Sequence, residues 1–290
     1  MNNAIEISNL RKQYKNFLLD NISFSVPGGF VCGFIGENGA GKTTTLKLIL
    51  GMVMKDGGSI NLFGKTADEV SLKEDIGVLF EQPYYQEDWT PVDIEKAVRP
   101  FYKKWSSTTF HQYLERFSLD PKQKYKTMSR GMKMKLGMAA ILARDAKLLL
   151  LDEPTSGLDP VGREEILGIF RDYMVEENRT IFFSTHITSD LEKIADYITY
   201  IKDGKIIYNG LKDELIDRYC LVRGGAGGLP QSKRKQMLGL REHSGGFDGM
   251  IEIKDIAGFN ASVITETVSL DDIMVRMSKG WKNDETNGSV

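Results

Sequence analysis

The sequence has little cysteine, no long hydrophobic run and almost no excess of charge. Its 290 residues include two cysteines, Cys32 in an apolar segment and Cys220 far along the chain. That spacing excludes a disulfide framework and a C-x-x-C metal site, and it indicates a reducing compartment. No apolar stretch approaches the roughly twenty residues that span a bilayer. The net charge of −2 indicates no whole-chain attraction to nucleic acid or anionic lipid.

The start of the chain and its length bear on its location and on its number of domains. Residues 1–6 lack the basic and then apolar pattern of a signal peptide, so we expect that the chain is not exported. The length suits one compact domain of about 200 residues with a smaller appendage.

A glycine-rich phosphate-binding signature is present at residues 36–44, which match G-x-x-x-x-G-K-[ST] without a break. Glycines let such a loop point backbone N–H groups at a phosphate, because they adopt positive φ and carry no Cβ. The apolar run at residues 30–35 is typical of a buried strand, and the spacing after the loop is typical of a helix. Together they predict a nucleoside triphosphate site. Its predicted residues are Gly36, Asn38, Gly39, Ala40, Gly41, Lys42, Thr43 and Thr44.

Within that loop, Lys42 is predicted to reach the β- and γ-phosphates and the Thr43 hydroxyl to hold Mg²⁺. An acidic pair follows the four-leucine run at residues 148–151. Asp152 is predicted to assist Mg²⁺, directly or through water, and Glu153 to polarise the attacking water. Adjacent carboxylates can also form a solvated strand end. The segment 154–160, and His186 at the end of a further apolar strand, favour the catalytic interpretation.

In the order and spacing of six motifs, the sequence resembles the ATP-binding subunits of ABC transporters over roughly residues 4–212. The resemblance implies that Tyr14 stacks on adenine, although Tyr14 could equally fill the core as a strand residue. It implies that Gln82 touches both Mg²⁺ and a membrane partner. It also implies that His186 senses the γ-phosphate. The implied catalytic residues are Glu153, His186 and Gln82, and the implied Mg²⁺ ligands are Thr43, Gln82 and Asp152.

The resemblance places the family's signature at residues 129–133, with two departures from the pattern Leu-Ser-Gly-Gly-Gln. Arg130 replaces the first glycine and Met132 the glutamine. Signature residues act on the ATP of a facing subunit, through a serine hydroxyl and N–H groups at a helix start. Arg130 can add a charge-assisted phosphate contact or face solvent, and the sequence leaves both alternatives open. The implied residues acting on the facing subunit are Ser129, Arg130, Gly131 and, in the D-loop, Asp159.

The fold implied by the resemblance is α/β: a P-loop NTPase core of the RecA type, with an antiparallel β subdomain and a helical subdomain. We expect the nucleotide-binding domain at residues 1–215, its helical subdomain at about 84–145, and a small accessory region at 216–290. Within that region the glycine-rich run 224–228 is typical of a flexible linker, and residues 269–272 predict the capping box of a final helix.

The function implied by the resemblance is that of an ATPase subunit that uses ATP and Mg²⁺ to power a separate membrane permease. The Ser-Arg-Gly-Met-Lys form of the signature resembles a subgroup of bacterial exporters, so we expect export of a drug, peptide or lipid-like substrate. The permease is expected to dock near residues 82–91, at the cytoplasmic face of the cell membrane. The chain is expected to pair with itself or with a related ATPase, and no nucleic-acid partner is expected.

Two other classes of function stay open at this point. A soluble ABC-type ATPase acting on ribosomes or DNA usually carries two nucleotide domains or a long coiled-coil insertion. This chain has one P-loop, and the interval from Lys42 to Ser129 leaves no room for the coil. A nucleotide-binding regulatory subunit without catalysis is disfavoured because both Glu153 and His186 are present.

Overall fold

A computed structural model describes residues 2–81, 84–260 and 262–280. Within these ranges the β-strands are, in chain order, β1 (Asn3–Tyr14), β2 (Phe17–Pro27), β3 (Val31–Ile35), β4 (Gly57–Leu62), β5 (Lys65–Thr66), β6 (Ile76–Leu79), β7 (Leu148–Asp152), β8 (Thr180–Thr185), β9 (Tyr197–Lys202), β10 (Lys205–Leu211), β11 (Tyr219–Gly225), β12 (Leu238–His243), β13 (Gly246–Glu252) and β14 (Ile264–Thr267). The α-helices are α1 (Lys42–Ile49), α2 (Pro91–Val98), α3 (Ser107–Arg116), α4 (Arg130–Leu142), α5 (Pro160–Tyr173), α6 (Thr188–Ile194), α7 (Lys212–Asp217) and α8 (Leu270–Gly280).

The largest sheet in the described ranges has six strands, in the order β10-β9-β3-β8-β7-β6. Strands β3, β8 and β7 pair in parallel, and every residue in them is buried. Apolar strands of this kind suit a parallel sheet that is covered on both faces. The register sets Ile35 beside Thr185 and Asp152 beside Ser184. The loops that follow these strands therefore meet at one edge of the sheet, where α/β folds bind ligands.

A four-stranded sheet in the order β2-β1-β4-β5 supplies the antiparallel layer. Three aromatic rings join it to the central sheet: Phe24 of β2 packs on Phe34 of β3 and Phe182 of β8, with ring centroids 5.7 and 6.0 Å apart. Because Phe34 and Phe182 also stack on each other at 5.2 Å, this cluster holds β3 firmly beneath the loop that follows it.

Helices α2, α3 and α4 form the helical subdomain between β6 and β7, and each begins at a capping side chain. The Thr90 hydroxyl accepts a hydrogen bond from the Asp93 N–H in a capping box. Ser106 caps α3 by accepting from Thr109, and Ser129 caps α4. With the two sheets above, this arrangement confirms the predicted P-loop fold with its antiparallel and helical subdomains.

Two local features next to this core follow from residues that favour tight turns and helix starts. Strands β9 and β10 form a hairpin through Asp203 and Gly204, whose φ angles of 46° and 74° suit a type I′ turn. Helix α5 begins at Pro160, directly after its capping residue Asp159. In the described ranges, none of the helices combines the length and apolar character that crossing a membrane requires.

The chain divides into two compact units, Met1–Asp190 with Ile194–Asn209, and Leu191–Lys193 with Gly210–Val290. In the described part of the second unit, strands β12, β13, β11 and β14 form a sheet in that order. Its apolar cluster includes Val222, Phe247 and Ile251. The predicted capping box is confirmed: the Ser269 hydroxyl accepts from the Asp272 N–H at 3.0 Å, and the Asp272 carboxylate accepts from the Ser269 N–H at 3.1 Å.

The interpretation of residues 224–228 as a flexible linker is wrong for its first two glycines. Gly224 and Gly225 end β11 and pair there with Phe247 and Gly246 of β13. A Cβ on Gly224 would come within 2.4 Å of the Phe247 ring. Glycine is therefore present because an aromatic ring packs on the strand, which composition alone does not reveal.

Candidate nucleotide site

The loop between β3 and α1 has the backbone geometry of a phosphate cradle. Gly39 and Gly41 have φ angles of 85° and 115°, which lie in the region that favours glycine. A Cβ on Gly41 would come within 2.9 Å of the Phe17 ring. Gly41 also caps α1, so the unpaired N–H groups of the first helical turn lie at the end of this loop.

Lys42 joins this loop to the acidic pair that follows β7. Its side chain is only 6% exposed, and its Nζ donates a hydrogen bond to the Gly36 carbonyl oxygen at 2.7 Å. The same Nζ lies 3.4 Å from Oε1 of Glu153. The buried ammonium group is thus both hydrogen-bonded and paired with a carboxylate, as burial of a charge requires.

Oxygen ligands suited to Mg²⁺ converge at Thr43 and Asp152. The Thr43 hydroxyl donates to Oδ2 of Asp152 at 2.8 Å, and the Ser184 hydroxyl donates to the other carboxylate oxygen. Mg²⁺ commonly takes one or two carboxylates, together with waters and phosphate oxygens. A hydroxyl and a fixed carboxylate beside a phosphate cradle fit that ion, whereas the third predicted ligand, Gln82, lies outside the described residues.

Glu153 is held in an unusual backbone conformation beside His186. Its φ is 51°, a region that non-glycine residues seldom adopt. Its N–H donates to the Ser184 carbonyl oxygen at 3.0 Å, which fixes that conformation. Oε2 of Glu153 lies 2.8 Å from Nδ1 of His186. Strained positions of this kind concentrate at functional sites, where the surrounding structure maintains them.

Lys42, Thr43 and Glu153 line a cavity of about 510 Å³. Tyr14 is 42% exposed there, so its ring is not a core residue. Gly36 and Ala40 pack instead behind the loop: a Cβ on Gly36 would come within 2.3 Å of the Ile201 carbonyl oxygen. Sequence reasoning missed four of the lining residues: Glu37, a variable position of the loop motif, and three residues outside the motifs, Asn16, Phe17 and Glu81. The lining consists of Tyr14, Asn16, Phe17, Glu37, Asn38, Gly39, Gly41, Lys42, Thr43, Thr44, Glu81 and Glu153.

The predicted signature and D-loop residues lie at two helix starts. The Ser129 hydroxyl accepts from the Met132 N–H at 3.2 Å, and Oδ1 of Asp159 accepts from the Gly162 N–H at 2.7 Å. Gly131 is tightly packed, since a Cβ there would come within 3.1 Å of Leu158. The action of these residues on the ATP of a facing subunit stays a prediction.

Arg130 shows an arrangement that the sequence did not suggest. Its side chain is 47% exposed, and the guanidinium pairs with the Glu81 carboxylate. The same group donates to the Ser156 hydroxyl at 3.1 Å. Phosphate contact and simple exposure to solvent were the two alternatives from the sequence, and pairing within the chain is a third.

A family model described as ABC transporter matches residues 19–156. The lantibiotic transport ATP-binding protein SrtF of Streptococcus pyogenes is 39% identical over 206 residues, which make up 70% of this chain and 89% of that protein. The bacitracin transport ATP-binding protein BcrA of Bacillus licheniformis is 34% identical over 215 residues, covering 71% of this chain and 69% of that one.

Solved structures support the same fold. An ATP-binding subunit of an ABC transporter superimposes with a TM-score of 0.66 at 24% identity, covering 73% of this chain and 91% of that one. A nucleotide-free ATP-binding cassette from an ABC transporter gives a TM-score of 0.63 at 23% identity. The match covers 74% of this chain and 94% of that one. At these identities the likeness establishes the fold alone.

Proposed function

The chain belongs to the ATP-binding subunits of ABC transporters, and we propose that it powers the export of a drug, peptide or lipid-like substrate through a separate membrane subunit. Members of this family are ATPases that couple hydrolysis to transport. One observation carries the assignment of the site: Lys42, Glu153 and His186 converge, with Glu153 3.4 Å from Lys42 Nζ and 2.8 Å from His186 Nδ1. The names of the two curated relatives, for lantibiotic and bacitracin transport, support a peptide-like substrate.

In the proposed mechanism, different residues bind the phosphates and accept the proton of the attacking water. Lys42 and the loop N–H groups bind the β- and γ-phosphates of ATP. Glu153 orients the attacking water and accepts its proton, while His186 holds the Glu153 carboxylate and contacts the γ-phosphate. Thr43 and Asp152 would hold Mg²⁺, which neutralises charge on the phosphate oxygens when it is bound.

We expect Thr43→Ala to raise the Mg²⁺ concentration needed for half-maximal ATP hydrolysis by about tenfold, since it removes one oxygen ligand and the hydrogen bond to Asp152. Thr44→Ala is the matched control, because Thr44 lines the same cavity one residue further along α1. Mg²⁺ titrations of hydrolysis should separate the two variants. Superimposable curves for Thr43→Ala and the wild-type protein would remove Thr43 from the metal site.

The proposed active unit is a head-to-tail pair of ATPase chains. Ser129 and Gly131 of one chain would then brace the γ-phosphate bound on the other, and Asp159 would lie at the shared interface. The facing chain can be a second copy or a related ATPase. Attachment to the membrane subunit would place the pair at the cytoplasmic face of the membrane.

The proposed docking segment for the membrane subunit is residues 82–91, of which the structure describes 84–91. Its most exposed ring is Tyr84, at 86%. Tyr85 instead packs edge-on against Tyr125 at 5.6 Å, and burial raises the pKa of Tyr85 to about 12. Trp89 is half-buried, and its carbonyl oxygen accepts from the Tyr125 N–H at 2.8 Å. Tyr84 is therefore the aromatic anchor best placed for a short helix of the partner.

Tyr84→Ala is expected to reduce recovery of the membrane subunit at least fivefold in affinity purification. Aromatic anchors of this kind typically contribute about 1 kcal/mol or more to the binding free energy. ATP binding by the isolated chain should not change. Tyr85→Ala serves as the contrast: it should lower the thermal stability of the isolated chain, since it removes the ring that packs on Tyr125. Full recovery of the partner by Tyr84→Ala would exclude Tyr84 from the docking surface.

Affinity purification of the tagged chain from detergent-solubilised membranes tests the proposed function itself. We expect one or two subunits with several membrane-spanning segments to co-purify with the chain. Recovery of ribosomal particles or DNA in their place would support the soluble ABC-type ATPase, and would contradict the proposal.

A further inference from the structure

Arg130 connects three separate segments of the nucleotide-binding unit. It is the first residue of α4, and its guanidinium pairs with Glu81, just beyond β6. The same guanidinium donates to the Ser156 hydroxyl at 3.1 Å, in the loop after β7. Ser156 in turn lies 3.5 Å from the same Glu81 oxygen. Three polar groups thus converge from segments that are distant in sequence.

The neighbouring backbone is shaped to accept the arginine. Gly157 has a φ of 74°, and a Cβ there would come within 3.1 Å of Cδ and Nε of Arg130 and 3.2 Å of its Cζ. A Cβ at this position would require the arginine side chain to shift, and the positive φ also favours glycine. The loop backbone thus supports the position of Arg130 in a pair that is itself partly exposed, with side-chain exposures of 47% and 44%.

The ion pair between Arg130 and Glu81 is connected to the nucleotide site through Glu81. Glu81 lines the same cavity as Lys42, Thr43 and Glu153. ATP brings several negative charges into that cavity, and an unpaired carboxylate on its wall would repel them. The cation on Arg130 offsets that repulsion without touching the nucleotide.

We propose that Arg130 is a positioning residue that neutralises Glu81 at the wall of the nucleotide cavity and so raises the affinity for ATP. This inference rests on the proposed ATP site. Because Arg130 lies on α4, a displacement of α4 would expose the Glu81 charge and weaken ATP binding. By reciprocity, bound ATP favours the position of α4 in which the two side chains meet.

The test is the dissociation constant of MgATP, measured by titration with a fluorescent ATP analogue. The core comparison is between the wild type, Arg130→Met, Glu81→Gln and the double variant, with Arg130→Lys and Arg116→Met measured beside them. Arg130→Met should weaken binding about threefold, the range expected for a partly exposed ion pair. Glu81→Gln in that background should restore wild-type affinity, because the charge that Arg130 offsets is then absent. Arg130→Lys should retain most of the affinity.

A direct contact between Arg130 and phosphate predicts a different pattern, in which Glu81→Gln fails to rescue Arg130→Met. That result, or unchanged affinity in Arg130→Met, overturns the inference. Arg116→Met is the matched control, since it removes another exposed arginine that pairs with a carboxylate, Asp172, away from the residues lining the cavity. It should bind MgATP as the wild type does. A wild-type chain that binds no ATP would overturn the proposed function, and the inference with it.

Discussion

Glu153→Gln should stop ATP hydrolysis while leaving ATP binding intact. Glutamine keeps the size of the side chain but cannot accept a proton from water, and loss of such a base typically lowers turnover by about 100- to 10,000-fold. The fold should tolerate the change, because the positive φ at position 153 is fixed by backbone hydrogen bonding to Ser184. The lost ionic contact with Lys42 at 3.4 Å should be replaced by the phosphates of ATP.

The measurement pairs phosphate release with size-exclusion chromatography. Glu153→Gln should bind ATP and elute as an ATP-stabilised dimer if the chain pairs with itself, with release near background. Glu37→Gln is the control, since it removes the charge of another carboxylate that lines the same cavity, whereas His186 pairs with Glu153. Ordinary turnover by Glu153→Gln would disprove the catalytic role of Glu153.

Lys42→Ala should act at the binding step. The ammonium group is buried, and a charge-assisted hydrogen bond is worth about 1.5–3 kcal/mol. Its loss should therefore weaken ATP binding by about 10- to 100-fold. Hydrolysis at saturating ATP would fall too, since the same group neutralises charge on the β- and γ-phosphates.

Direct titration of ATP binding distinguishes this variant from Glu153→Gln. Lys47→Ala provides the control on the same helix, because Lys47 lies in the last turn of α1 and does not line the cavity. It should bind ATP as the wild type does. An unchanged dissociation constant for Lys42→Ala would exclude the loop from phosphate binding.

The parts of the site that the sequence predicted are those that a few consecutive residues specify. The loop at residues 36–44 carries its own backbone requirements in Gly39 and Gly41, and a buried apolar strand directly precedes Asp152. The antiparallel layer and the helical subdomain followed from the family resemblance. The roles of the individual site residues stay predictions that the variants above can test.

The parts of the site that the sequence did not predict depend on contacts between segments far apart in the chain. Ser184 fixes Asp152 because β8 lies beside β7, and strand order is not visible in either segment alone. Glu81 and Arg130 meet across 49 positions, so the sequence could suggest only phosphate or solvent for the arginine. The glycine-rich composition likewise led to the wrong prediction of a flexible linker at Gly224, because the aromatic ring that packs there comes from another strand.

The central claim is that this chain hydrolyses ATP at the Lys42–Glu153 site to power a membrane subunit. Its most direct test is phosphate release by the co-purified complex in proteoliposomes, with the wild-type chain and with Glu153→Gln. We predict MgATP-dependent release from the wild-type complex and release near background from the variant. Equal release from both complexes, or none from the wild type, would contradict the account.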